Sequence, residues 1–253
     1  MKLSRGVAGV VSCLMVAGCA GSPTAEKKTD AEATIFAAAS LNTVLPELMQ
    51  EQAPHISTTF NFDGSSGLVD QMAGGAPADV LLTANQKNMT KALDKGLVTD
   101  PVMFATNTLV MVVPKDNPGK VTGFTDGSLD GKRLVVCAPE VPCGSATAQL
   151  AELNNVTLAP ASEEQSVTSV LGKVTSGEAD AGLVYRTDAM LAGDKVSVIQ
   201  IDQADKVVNK YMIAVASKAK NAKAAKAVID AVMSDAGQKK LADFGFSAPI
   251  AGK

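Results

Sequence analysis

The chain has 253 residues, 46% of them hydrophobic and 19% charged, with a formal net charge of −3 and a single histidine. That length buries one sizeable core or two. Charge that nearly cancels, without a basic stripe or a long charge run, excludes a nucleic-acid-binding face and a disordered charged tail.

The first elements concern export. Lys2 and Arg5 precede an apolar run, Val7 to Val16, too short to span a bilayer, and then the small residues Ala17 and Gly18. This order predicts a signal peptide over 1–18. Val16-Ala17-Gly18-Cys19 resembles a bacterial lipobox, which implies a lipidated Cys19 as the mature first residue; a plain secretory signal with an incidental cysteine is the alternative. Loss of Lys2 and Arg5 leaves 21 basic against 26 acidic side chains, a net charge of −5. The polar stretch 19–32 reads as a flexible stalk. The expected location is extracytoplasmic, lipid-anchored to the cell membrane.

Thr34 to Ala39 reads as a buried strand, followed by Ser40 and an apolar spacing (Leu41, Val44, Leu45, Leu48) that predicts a helix. Pro46 lies inside it and is tolerable only if the helix starts near Asn42 or kinks. Ile56 to Phe62 is a second strand, after which Asp63-Gly64-Ser65-Ser66-Gly67 opens a helix with Leu68, Val69 and Met72 on one face. Val80 to Thr83, Leu109 to Val113 and Arg133 to Val136 are further strands. Gly144-Ser145 opens a helix over Ala146 to Leu153, and Glu164-Gln165-Ser166 opens another whose Val167, Val170, Leu171 and Val174 share a face. Gly182 to Tyr185, Val196 to Ile201 and Met212 to Ala216 complete the set.

Strands alternating with helices predict an α/β fold, with helices on both faces of mostly parallel sheet and ligands held beyond the strand C-termini. Leu109 to Val113, ending at Pro114, and Lys210 to Ala214 read as crossings between two lobes. Lobe I is then 33–112 plus 212–253, and lobe II is 113–211. A cleft between such lobes suits closure on a small ligand.

Export leaves two cysteines in the fold, since Cys13 departs with the signal and Cys19 takes the lipid. Cys137 and Cys143, in CAPEVPC, are most simply a disulfide closing a tight loop outside the cytosol. So short a loop contributes roughly 2 kcal/mol by chain entropy. A metal site is the competing reading, weakened by the sequence distance of His55 and the lack of a second cysteine pair.

Four polar or glycine-containing turns each open a helix, at Ser40, Gly64-Ser65, Gly144-Ser145 and Ser166. A helix N-terminus presents unpaired N–H groups and partial positive charge, which suits an oxyanion without lysine or arginine. Ser40, Ser65 and Ser166 are equally explicable as N-caps. Capping leaves the glycines flanking Ser65-Ser66 unexplained; they would let a ligand approach the backbone closely. A serine nucleophile fits poorly. Ser66 has Gly64 two residues before it but Leu68 two after, the only histidine lies in the polar stretch Gln52 to His55, and no S-x-x-K spacing accompanies either serine.

Phe36-Ala37-Ala38-Ala39-Ser40-Leu41, Gly64-Ser65-Ser66-Gly67, Gly74 to Val80, Val141-Pro142-Cys143-Gly144, Gly177 to Tyr185 and Phe244-Gly245-Phe246, in that order, resemble the molybdate-binding proteins of ABC importers. The resemblance implies a two-lobed periplasmic-binding-protein fold of type II. It implies a monomer without cofactor or enzymatic activity, closing on molybdate or tungstate and delivering it to a membrane permease. It also implies the ligand set: Ser40 and Ser65 by hydroxyl and backbone N–H, Cys143 (alanine in most of the family) and Val167 by backbone N–H, and Tyr185 by its phenol. The Cys137–Cys143 bridge would then stiffen a loop one residue shorter than the family's usual one.

Molybdate at neutral pH is a dianion with no proton to give, so a site made only of donors suits it. Hydrogen phosphate carries a proton and would leave it unpaired there. Sulfate shares molybdate's charge, so its rejection must rest on size. Arg186 follows Tyr185 on a strand and is expected on the opposite face. Asp79 and Asp180 are expected to cap or pair with backbone, because a carboxylate beside a dianion repels it.

Overall fold

The computed structural model describes residues 31–249. The expected signal peptide, the lipidated Cys19 and the stalk as far as residue 30 lie outside that range. The stalk's last two residues, Ala31 and Glu32, already belong to the first strand.

The chain runs β1 (Ala31–Ala38), α1 (Val44–Gln52), β2 (Ile56–Asp63), α2 (Ser65–Ala73), β3 (Val80–Thr83), α3 (Gln86–Asp94) and β4 (Val98–Asn107). It continues with β5 (Leu109–Pro114), β6 (Leu134–Cys137), α4 (Pro142–Leu153), β7 (Ser162–Glu164), α5 (Val167–Thr175), β8 (Ala181–Tyr185), α6 (Arg186–Ala192) and β9 (Val196–Ile199). It then returns through β10 (Asn209–Ala216) to α7 (Ala222–Met233) and α8 (Asp235–Asp243). Two five-stranded sheets result, ordered β2-β1-β3-β10-β4 and β7-β6-β8-β5-β9.

In each sheet one strand opposes the other four: β10 runs antiparallel to β3 and β4, and β5 to β8 and β9. Both are the first strand after the chain changes lobe. The remaining strands end at the cleft, so a strand entering from the other lobe starts there and runs away from it. Each sheet is thus mixed, with four strands in one direction and the fifth opposed, and the architecture is the two-lobed α/β fold that the resemblance implies.

The lobe boundaries need correction. The chain changes sheet at Thr108, between β4 and β5, and again between β9 and β10, not at 112/113 and 211/212. The run Leu109 to Val113 is apolar because β5 is flanked on both sides within the second sheet. The first link is one polar residue, Thr108, with no hydrophobic signal.

Continuous apolar runs reflect burial on both sheet faces. Ile35 and Ala37 pack with Leu45, Leu48 and Val228, whereas the intervening Phe36 packs with Leu68, Val69 and Met89 on the other face. Pro46 is accommodated because α1 starts at Val44, close to Asn42 and after a 3-10 turn at Ala39–Leu41. It is therefore in the first helical turn, where its missing N–H would have had no helical partner. The fourth helix starts earlier than expected. Pro142 is its first residue, so Gly144 and Ser145 lie inside it.

Cys137 and Cys143 are bridged, with Cα atoms 5.6 Å apart. Among the described residues no cluster of His, Cys, Asp or Glu could hold a metal, and no helix is long and apolar enough to cross a membrane.

Candidate functional site

Ser40 lies in the 3-10 turn directly after β1, and Ser65 is the first residue of α2 after β2. Cys143 is the second residue of α4, Val167 the first of α5, and Tyr185 the last of β8. These five positions, two from the first lobe and three from the second, line one cavity. None is more than 3% exposed. The space open to the centre of a water-sized guest is only about 10 Å³, so any small guest would be in contact with the surrounding groups.

The donors follow from local structure. Residues in the first turn of a helix have N–H groups with no intrahelical partner, which describes Ser65, Cys143 and Val167. Of the three serines that could have been N-caps, Ser166 is one, its Oγ accepting from the Ser169 N–H at 3.3 Å. Ser65 is not, because Gly64 occupies the cap position of α2, and Ser40 caps no α-helix.

Among the described residues no lysine, arginine or histidine lines the cavity. Asp63 borders it, but its Oδ1 accepts the Gly64 N–H at 2.7 Å and its Oδ2 accepts from Gln71 Nε2 at 3.0 Å. Asp79 lies elsewhere, accepting the backbone N–H groups of Thr34, Lys220 and Asn221. Asp180 accepts the Arg133 N–H and pairs with its guanidinium, which holds the carboxyl below its usual range. Arg186 is outside the cavity and donates across the lobe boundary to Gly245 O at 2.5 Å. His55 is exposed and precedes the start of β2, while Ser65 follows its end. An eight-residue strand separates them, so no imidazole activates that serine.

Three further groups were not legible in the sequence. The Ser65 Oγ accepts the Ala84 N–H at 3.0 Å. The Ser40 Oγ lies 2.8 Å from the Tyr211 hydroxyl, and Asn209 Nδ2 donates to the Tyr185 hydroxyl at 3.0 Å. Tyr211 is wedged edge-on against Phe104, Tyr185 and Phe246, with ring centroids 6.0, 5.8 and 5.3 Å away. Burial pushes the Tyr185 phenol well above its ordinary pKa, so it stays protonated and able to donate. The one signal for Tyr211 was its rarity, since the chain has two tyrosines.

A buried cavity between two lobes, lined from both by hydroxyl-bearing residues and helix starts and, among the described residues, by no basic side chain, is the arrangement of a solute-binding protein. The chain belongs to the family of bacterial extracellular solute-binding proteins, whose model matches residues 33–247. It is 39% identical over 253 residues to the molybdate-binding protein ModA of Mycobacterium tuberculosis (strain H37Rv), covering 95% of this chain and 97% of that one. It is also 34% identical over 208 residues to ModA of Escherichia coli (strain K12), covering 75% and 79%. The fold is shared with the periplasmic molybdate-binding protein of Azotobacter vinelandii, with a TM-score of 0.72 at 17% identity over 86% of this chain and all of that one. The family is one of solute carriers and not of enzymes.

Proposed function

We propose that the protein captures molybdate or tungstate outside the cytoplasm and delivers it to the membrane permease of an ABC importer, as a monomer tethered through a lipid on Cys19. The observation that carries this reading is the convergence of Ser40, Ser65, Cys143, Val167 and Tyr185, from both lobes, on one buried cavity without a basic side chain. Hydroxyl and N–H donors replace the hydration shell of a dianion that has no proton to donate. The similarity to ModA over nearly the full length supports the same cargo. Tungstate has the same charge and shape, so a site that works by donor placement takes both.

A thermal-shift panel tests the reading, because a ligand that binds only the folded state raises Tm, by about 2.7 kcal/mol of stabilisation at a hundred times Kd. Molybdate and tungstate are expected to raise it strongly, sulfate less and phosphate not at all. No shift with molybdate overturns the assignment. For the tether, Cys19→Ser is expected to release the protein from the membrane fraction.

A further inference from the structure

We propose that Asn209 and Tyr211, on the strand that returns from the second lobe, are positioning residues that hold the site hydroxyls as proton donors toward the cavity and thereby reject protonated oxyanions. This rests on the placement of the site given above and adds a cause for its selectivity.

A hydroxyl has one proton and two acceptor lone pairs, and it rotates to suit its neighbours. Left alone, Ser40, Ser65 and Tyr185 could accept a proton from a guest as readily as donate one. Each is instead met from behind by a protein donor. Behind Ser65 is the Ala84 N–H, 3.0 Å away, which can only donate. Behind Tyr185 is the Asn209 amide, 3.0 Å away. The direction of that amide is settled by its surroundings, because the same Nδ2 lies 3.0 Å from Ala84 O and 3.5 Å from Pro142 O, two carbonyls that only accept. Turning the amide round would set oxygen against oxygen. The Asn209 Oδ1 is buried with no partner among the described residues, so the orientation is held despite an unsatisfied acceptor.

Behind Ser40 is Tyr211, 2.8 Å away. A phenol is a stronger acid than an aliphatic alcohol, so with an anion in front of Ser40 the phenol proton goes to the serine oxygen and the serine proton to the anion. Three aromatic rings fix where that phenol sits. All three site hydroxyls then point protons at the guest, and the neighbouring Asp63 oxygens are already engaged. A guest carrying its own proton meets only lone pairs turned away from it or on oxygens already engaged, on the hydroxyls and on Asp63, and pairs its buried O–H poorly.

The test compares two ligands on one variant. Tyr211→Phe removes one oxygen and keeps the ring packing. Molybdate and hydrogen phosphate affinities are measured by calorimetry or competition on the parent, Tyr211→Phe and Asn209→Ala, with melting of the unliganded proteins as the check on folding. With its donor gone, Ser40 is free to accept. Tyr211→Phe is expected to lose about tenfold in molybdate affinity, roughly 1.4 kcal/mol, while phosphate affinity rises to a measurable value, so the ratio between them narrows by more than that factor. Asn209→Ala is expected to behave alike through Tyr185; should it fail to fold, Tyr211→Phe alone decides. A merely structural role would weaken both ligands equally. Equal loss, unchanged molybdate affinity, or phosphate binding still undetectable in Tyr211→Phe overturns the proposal. If the parent binds no molybdate, or Ser65→Ala and Tyr185→Phe are without effect, it is the function or the site itself that fails.

Discussion

Gly64 of the first lobe faces the carbonyl of Gln165 in the second so closely that a Cβ at position 64 would lie 2.0 Å from that oxygen. The backbone of Gly64 is ordinary, with φ −61° and ψ 139°, so any residue could adopt it. The glycine is required by the approach of the lobes. The close neighbour at this position is the opposite lobe, where the sequence suggested a ligand. Gly64→Ala is therefore expected to fold normally and to keep the lobes apart, weakening molybdate binding by about 1–3 kcal/mol, the usual size of an overpacking penalty. Small-angle scattering with and without molybdate would show less compaction than in the parent. Parent-like affinity and compaction would contradict this.

Ser65→Ala and Tyr185→Phe each remove one hydroxyl donor from a buried site. Each is expected to cost about 1–3 kcal/mol of molybdate affinity, measured by calorimetry. Ser166→Ala, which loses an N-cap, is expected to lower Tm through about 1 kcal/mol of stability with much less effect on affinity. Parent-like affinity in both site variants would mean that the site is elsewhere.

The fold was legible where burial is two-sided. The apolar runs of β1, β3, β5 and β8 announce themselves, but β4 and β7 do not. β4 is an edge strand with Asp100 and Pro101 in it and register shifts against β10, and proline belongs on edges. β7 is three polar residues at the edge of the other sheet. The serine turns could be singled out from residue types, whereas Tyr185 came from the resemblance. Cys143 and Val167 could not, because a backbone N–H donor leaves no mark on side-chain identity; only the resemblance pointed to them. Asn209 and Tyr211 acquire their roles from tertiary contacts to Ala84, Pro142, Tyr185 and Ser40, distant in sequence, which no local pattern encodes.

The Cys137–Cys143 bridge closes the loop that carries one candidate ligand. Replacing both cysteines by serine is expected to lower stability by roughly 2 kcal/mol, the chain-entropy value for so short a loop, read as a lower denaturant midpoint. The contribution proposed for Cys143 is its backbone N–H, so molybdate affinity should change far less than in Ser65→Ala. Loss of binding without loss of stability would contradict this division.

Asp188, in the first turn of α6, is buried, and burial pushes its carboxyl up to about 7 against the opposing pull of the Tyr185 N–H at 3.1 Å. The unfolded chain releases that proton near 3.8. The native state therefore holds a proton that the unfolded state lacks between these values. Its contribution is complete below the lower one and is lost as pH rises through about 7. Glu164 and Asp180, held low by Lys173 and Arg133, lose their contributions only on acidification. Between about pH 5 and about pH 8, Tm should fall as pH rises. Asp188→Asn, whose amide oxygen still accepts the Tyr185 N–H, should flatten that slope. Equal slopes in parent and variant would contradict the assignment.

The most direct test is a crystal grown with molybdate, with the metal located by its anomalous scattering. The account predicts one strong peak in the cavity between Ser40, Ser65, Cys143, Val167 and Tyr185, its oxygens within hydrogen-bonding distance of hydroxyl and backbone N–H groups from both lobes. A peak outside that cavity, or an anion held by lysine or arginine side chains, would contradict it.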